Sequence, residues 1–290
     1  MKKMVKTYIS FIFYVYFPVA FVLLGRQFFN YKYTSSNLQD VIWLNVICDV
    51  TFFIVLTILN FDIFKKKVVF EGNTKKEKIK NFAIRVLIVT AIFYGVKIGA
   101  AIITSLLLTL FGLSDTAVNQ QLIEEMFKSA PVLSILTGVI CAPVVEELLF
   151  RGTVRRIIKD KRVFVIVSGL LFGLVHVLRY DLPLFGVLVL GCLIDSIITS
   201  QIDKKKKIGL SLLASVVMLV VLGLSLHMLS GDLIKLLTTI KLSEVINSIT
   251  YITMGIFLAI IYVKYDNIYL NILCHLINNA LAFILLFTLL

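Results

Sequence analysis

Runs of about 20 apolar residues recur along the whole chain, and most are long enough to cross a bilayer as a helix. They occupy 8–28, 41–62, 82–112, 131–152, 163–180, 183–201, 208–229, 248–263 and 268–290. The chain as a whole is 59% hydrophobic and 16% charged. A soluble domain carries roughly 45–50% apolar and about 25% charged residues. With a mean hydropathy of +0.99, there is too little polar surface to cover a water-soluble globule. Cytosolic, secreted and disordered classes are therefore excluded. The pattern predicts an all-α, polytopic transmembrane helical bundle of eight to nine spans, with 183–201 and 248–263 the short ones.

The net charge of +12 comes from 29 Lys and Arg against 17 Asp and Glu. The basic residues stand in short runs between apolar spans, so membrane topology accounts for them and a nucleic-acid partner is not expected. With the N-terminus inside, segments 1–6, 65–80, 153–162, 203–207 and 264–267 hold 20 Lys and Arg, whereas the outer segments hold six. That bias predicts nine crossings of the cell membrane with a cytoplasmic N-terminus and an outer C-terminus. The Lys-rich start resembles a signal peptide, but its apolar run is long and lacks a small-residue cleavage site, which predicts a retained first helix. Segment 114–129 carries apolar residues at helical spacing and reads either as an interfacial helix or as a plain loop. Cys48, Cys141, Cys192 and Cys274 all fall in apolar spans without a CxxC pair and read as buried thiols.

Ionisable groups within a bilayer are costly, so each needs an explanation. The densest set is Ala-Pro-Val-Val-Glu-Glu-Leu-Leu-Phe-Arg-Gly at 142–152. Glu146 and Glu147 point about 100° apart on a helix, whereas Glu147 and Arg151 share a face. Arg151 is thus expected to pair with Glu147 and leave Glu146 aimed elsewhere; the plainer reading is a charge cluster at a helix end. Phe172 and His176 share a face of the fifth span, as do His275 and Asn279 on the ninth. Either histidine alone would serve as a helix-to-helix hydrogen-bonding residue. Counting ~1.5 Å per residue from each helix end, however, Glu146, His176, His275 and Asn279 reach comparable membrane depth. One polar site is the economical explanation.

Glu-Glu-x-x-x-Arg, then Phe-x-x-x-His, then His-x-x-x-Asn, in that order on apolar helices, resembles the CPBP intramembrane proteases. That family includes CAAX prenyl endopeptidases, bacteriocin-processing and self-immunity proteins and the abortive-infection (Abi) group. The resemblance covers about 130–285, which it marks as a catalytic domain; 1–129 would be additional membrane helices with the interfacial segment. It implies an endopeptidase in which Glu146 activates water with His176 assisting. His275 and Asn279 would stabilise the oxyanion, and Glu147, Arg151 and Phe172 would support the site. The substrate would be a membrane-associated peptide or protein, such as a CAAX-type, pheromone or bacteriocin-like precursor.

The resemblance implies no cofactor. Zinc is the chemical alternative for the same His and Glu residues, although HExxH is absent. Two other functions compete: a non-catalytic self-immunity protein, and a small-solute transporter using the same polar path. No internal repeat favours the transporter, and every motif position is filled. Asp49 and Asp195 lie within spans and could line a cavity, pair with Lys97 or one another, or mark an ion path. His227 fits no motif and reads as structural or interfacial. Asn278 faces away from Asn279 and is expected to bond between helices.

Overall fold

Apolar sequence makes these segments helical, and short polar signals decide where each helix begins. The computed structural model describes residues 2–29, 38–66, 71–113, 118–177 and 242–289. These form α1 (Lys2–Phe29), α2 (Leu38–Leu59), the single turn α3 (Phe61–Phe64), α4 (Lys75–Leu110), α5 (Val118–Ser129), α6 (Pro131–Ile157), α7 (Lys161–Val177), α8 (Leu242–Tyr265) and α9 (Ile268–Leu289). Among the described residues, five helices are long and apolar enough to cross a membrane. The chain is a multi-pass membrane protein. Predicted spans 183–201 and 208–229, with Cys192, Asp195 and His227, lie outside the described residues.

Start signals explain the departures from the expected boundaries. Thr-x-x-Glu at 74–77 forms a reciprocal cap: Glu77 N–H donates to Thr74 Oγ1, and Thr74 N–H donates to the Glu77 carboxylate, each at 3.2 Å. The fourth helix therefore begins at Lys75 rather than near 82, and its lysine-rich first turns are helical. Asp160 caps α7 by accepting the N–H groups of Arg162 and Val163 at 2.8 and 2.9 Å. Those bonds, with the Val163 bond foremost, hold its carboxyl below the usual range. Asn267 caps α9 in the same way, after Asp266 turns the chain at φ +48°. The short predicted span 248–263 belongs to the 24-residue α8 and is long enough to cross.

One end of the bundle gathers the segments that the charge count puts on the same side. Asp62 pairs with Lys6 at 3.5 Å and with Arg156 at 2.8 Å. Arg156 also donates to Asn60 Oδ1 at 2.7 Å, and Asn60 donates to Ser10 Oγ at 3.0 Å. Lys66 pairs with Asp266, and the Tyr269 hydroxyl donates to the Phe64 carbonyl. The start of α1, the α2–α3 turn, the end of α6 and the α8–α9 corner thus share one polar cap. At the other end α5 makes Val118–Ser129 of segment 114–129 helical. Its Met126 packs on Ile42 and Val46 of α2, and Phe127 sets its ring edge against Phe283 and Phe287 of α9.

The core lies between α6, α7, α8 and α9, where Leu148, Phe150, Phe164, Phe172 and Leu258 are fully buried. Helices α7 and α8 approach to backbone contact. A Cβ added at Gly173 would stand 2.8 Å from the Ile252 nitrogen, and one at Gly169 would stand 2.9 Å from that of Ile256. This small-x-x-x-small stripe lets two membrane helices pack closely. Apolar side chains such as Ile58, Leu106, Leu110, Val132 and Phe287 stay exposed, as expected of a surface whose solvent is lipid.

A candidate active site between four helices

The site begins with the winding of α6. Residues Ile135–Cys141 and Glu147–Thr153 follow a π-helical path, with backbone bonds reaching one residue further than in an α-helix. At the end of the first stretch the Ala142 N–H reaches back to the Thr137 carbonyl. In that register the next donor would be residue 143, which is proline and has no N–H. The Gly138 carbonyl is therefore open to a side chain, and Asn279 of α9 donates to it at 2.7 Å. In the second stretch Ser168 of α7 donates to the Phe150 carbonyl at 2.9 Å. Two neighbouring helices are thereby tied to the helix that carries both glutamates.

Glu147 is the anchor. It is 0% exposed, as is Arg151, whose Nη1 donates to Glu147 Oε1 at 3.0 Å. His275 Nδ1 donates to the same oxygen at 2.9 Å, and Asn271 Nδ2 reaches Oε2 at 3.2 Å. Arg151 spends Nη2 on the Gly255 carbonyl at 3.0 Å and lies over the Phe172 ring, 4.6 Å from its centroid. A buried charge pair depends on further hydrogen bonds to its polar atoms; among the described residues Arg151 Nε has none. Here one carboxylate receives three donors from α6 and α9, which fixes the faces those helices present.

Glu146, one residue earlier, faces the other way. Its Oε2 lies 3.8 Å from His275 Nε2 and 4.0 Å from His176 Nε2, with both Glu146 and His176 side chains 15% exposed. His176 Nδ1 bonds the Phe172 carbonyl at 2.7 Å, and a carbonyl only accepts, so that nitrogen carries the hydrogen. By the same reasoning His275 carries its hydrogen on Nδ1, towards Glu147. In the neutral rings both Nε2 atoms are therefore lone-pair acceptors turned towards Glu146. Three acceptors converge on one space, at separations too long for direct hydrogen bonds. Such an arrangement can accept a guest that brings protons or positive charge.

The expected residues are thus brought together, with adjustments. The Glu147–Arg151 pairing is present, and Phe172 lies between the two imidazoles, 4.7 Å from the His176 ring and 5.7 Å from that of His275. His275 can donate to an oxyanion only as an imidazolium with Glu147 as its counterion. Asn279 gives one amide hydrogen to Gly138, which leaves its second for a ligand. Lys97 bonds Asn278 Oδ1 at 3.0 Å. Asn278 does bond between helices, as its facing predicts. Cys48, Cys141 and Cys274 are buried free thiols.

Two residues escaped the sequence reading. Asn271 stands four before His275, so Asn271, His275 and Asn279 form one stripe on α9, and that spacing was the available signal. Tyr251 stacks on His176 at 4.6 Å and 12° between planes; it sits on α8, outside every motif, and nothing in the sequence pointed to it.

Fold and site together define a multi-pass membrane protein built round a buried glutamate–histidine centre. The family model for type II CAAX prenyl endopeptidases, Rce1-like, matches residues 128–281. That stretch is more than half of the chain and holds every motif residue. The chain belongs to this family: it is a CAAX-type intramembrane protease, hence a peptidase. No curated protein and no solved structure matches it.

Proposed function

We propose that the protein hydrolyses a peptide bond of a membrane-associated peptide or protein with a water activated by Glu146. The observation that carries this reading is the convergence of Glu146 Oε2 and two imidazole Nε2 atoms at 3.8 and 4.0 Å. A water about 2.8 Å from each would see its partners roughly 90° apart, a fair geometry for donating two hydrogen bonds. Its two hydrogens would go to Glu146 and one histidine, leaving a lone pair aimed at the substrate carbonyl. Attack forms the carbon–oxygen bond as the proton passes to Glu146. Collapse breaks the carbon–nitrogen bond while that proton goes to the departing amine.

The developing oxyanion would be met by the second Asn279 amide hydrogen, with His275 contributing when protonated. Glu147, Arg151 and Phe172 hold the rings and take no part in bond making. The catalytic unit would be 130–285, with the helices of 1–129 buttressing it. The site would lie in the cell membrane with the Lys6–Asp62–Arg156 cap cytoplasmic. Substrates would be CAAX-type tails or pheromone- or bacteriocin-like precursors; a bacteriocin-immunity role of the Abi kind is compatible with that activity.

Zinc is the second reading, and one observation favours it. A metal-binding histidine usually has its other ring nitrogen bonded to a carboxylate, as His275 has. Against it, ligands sharing a tetrahedral zinc would sit about 3.3–3.5 Å apart given its bond lengths, closer than the distances here. Chelation separates the two. Direct activation by Glu146 predicts an unchanged rate after divalent ions are stripped; collapse of activity, with recovery on adding zinc, would overturn the metal-free reading.

A further inference from the structure

We propose that Tyr251 is a positioning residue of the peptidase centre: its ring, stacked on His176, keeps the imidazole turned so that Nε2 faces Glu146. This role rests on the water-activation reading above. Helices α7 and α8 run antiparallel in backbone contact, with Gly173 against Ile252 and Gly169 against Ile256. Each carries a pair of residues one turn apart on a shared face: Phe172 and His176 on α7, Gly255 and Tyr251 on α8. The first rung between them is Gly255 beside Phe172. A Cβ added at Gly255 would stand 2.9 Å from the Phe172 Cβ and 2.9 Å from the Gly169 carbonyl oxygen. The second rung, one turn on, is Tyr251 on His176, with ring centroids 4.6 Å apart and planes 12° from parallel. The bare backbone at Gly255 is what brings the two rings together. Neighbouring helices hold α8 in this register, since Arg151 Nη2 donates to the Gly255 carbonyl at 3.0 Å and the Thr104 and Thr250 hydroxyls bond at 2.9 Å.

The stack restrains what the hydrogen bond leaves loose. His176 Nδ1 donates to the Phe172 carbonyl at 2.7 Å, which ties one edge of the ring to its own helix. A bond at one edge fixes that edge and not the plane. Nε2 lies off the tied edge, so it moves when the plane tilts, and its 4.0 Å separation from Glu146 Oε2 moves with it. A parallel ring across the imidazole face opposes the tilt, because tilting drives an edge into that face. The two histidines are thus held by different means. His275 is bonded through Nδ1 to the buried Glu147 carboxylate at 2.9 Å, whereas His176 combines a neutral hydrogen bond with an aromatic face. Loss of the Tyr251 ring should therefore disturb His176 and spare His275.

The test uses full-length protein in lipid nanodiscs with isotope-labelled histidine. The chain has three histidines, so substituting each in turn assigns their signals. In wild type the His176 ring protons should show a through-space contact to a tyrosine ring and an upfield shift from it. Absence of that contact would overturn the proposal with no variant of Tyr251 needed. Tyr251→Leu should move the His176 signals downfield and leave those of His275 in place. With a peptide ending in a prenylated CAAX sequence, it should lower the single-turnover rate about 10- to 100-fold at unchanged affinity, the range between one lost stack and a misplaced reacting group. Tyr251→Phe should restore the upfield shift and most of the rate, because the face stacks and the hydroxyl does not. Wild-type turnover by Tyr251→Leu would overturn the proposal, as would a loss confined to affinity. So would His275 signals that move as far as those of His176, which marks a general loosening of the site, or a Tyr251→Phe protein as slow as Tyr251→Leu. Failure of wild type to cleave the peptide, with the ring contact and the variant shifts as expected, sinks the water-activation reading and leaves the hold on His176 standing.

Discussion

Glu146 and Glu147 are adjacent and chemically identical, yet the structure predicts opposite consequences for the same substitution. Glu147→Gln removes one charge from a pair in which both partners are 0% exposed. Arg151 would remain a cation in an apolar interior, facing an amide. Breaking a buried pair from one side costs about 3–5 kcal/mol, or roughly two to four decades in the folded-to-unfolded ratio at 1.36 kcal/mol per decade. The His275 bond would survive as a neutral one, worth about 0.6 kcal/mol or somewhat more between membrane helices, whereas the new amide nitrogen would face the Asn271 Nδ2 donor and lose that bond. The lost charge should therefore dominate. Reversible unfolding of the purified protein, followed by helix signal across a denaturant series, measures the change. The pairing account also predicts that Glu147→Leu with Arg151→Met recovers much of the loss, because an apolar pair of similar bulk carries no unmatched charge. A Glu147→Gln protein within 1 kcal/mol of wild type would refute the reasoning. So would a double variant no better than the single one.

Gly173→Ala should cost about 1–3 kcal/mol by overpacking, because its methyl would meet the α8 backbone near Ile252. It should also slow turnover by moving Tyr251 off His176, which kinetics on the folded fraction would show; an unchanged rate would contradict that coupling. Burial acts to raise the Asp62 carboxyl, but the Arg156 and Lys6 charges outweigh it and hold it below the usual range. Its contribution to stability is therefore present above the unfolded value of about 3.9 and lost as pH falls through the lower folded value. Wild type and Asp62→Asn should differ in stability at pH 7 and converge below about pH 4. Asn279→Ala should lower turnover by about 10²–10³, as for one lost oxyanion donor, without altering metal content.

The helices were legible because a bilayer admits little else, and their common polar cap because basic residues stay on one side. The site was legible because a rise of ~1.5 Å per residue brings Glu146, His176 and His275 to one depth, and the i,i+4 rule pairs Glu147 with Arg151. Periodicity gives the face a residue occupies and not its partner, which is why the bond from Asn271 to Glu147 could not be read from the spacing. The two π-helical stretches of α6 leave no periodic trace. Only Pro143, five residues after Gly138, marks the carbonyl that Asn279 takes. Tyr251 was invisible for a different reason: stacking on His176 depends on how closely the glycines of α7 admit α8.

The most direct test of the central claim is hydrolysis by purified Glu146→Gln protein beside wild type, in the same bilayer and under single-turnover conditions. The substitution keeps the side-chain shape and removes the charge. The account predicts wild-type unfolding behaviour and substrate binding with proteolysis abolished, since the amide cannot accept the proton of water. Turnover equal to wild type would contradict it.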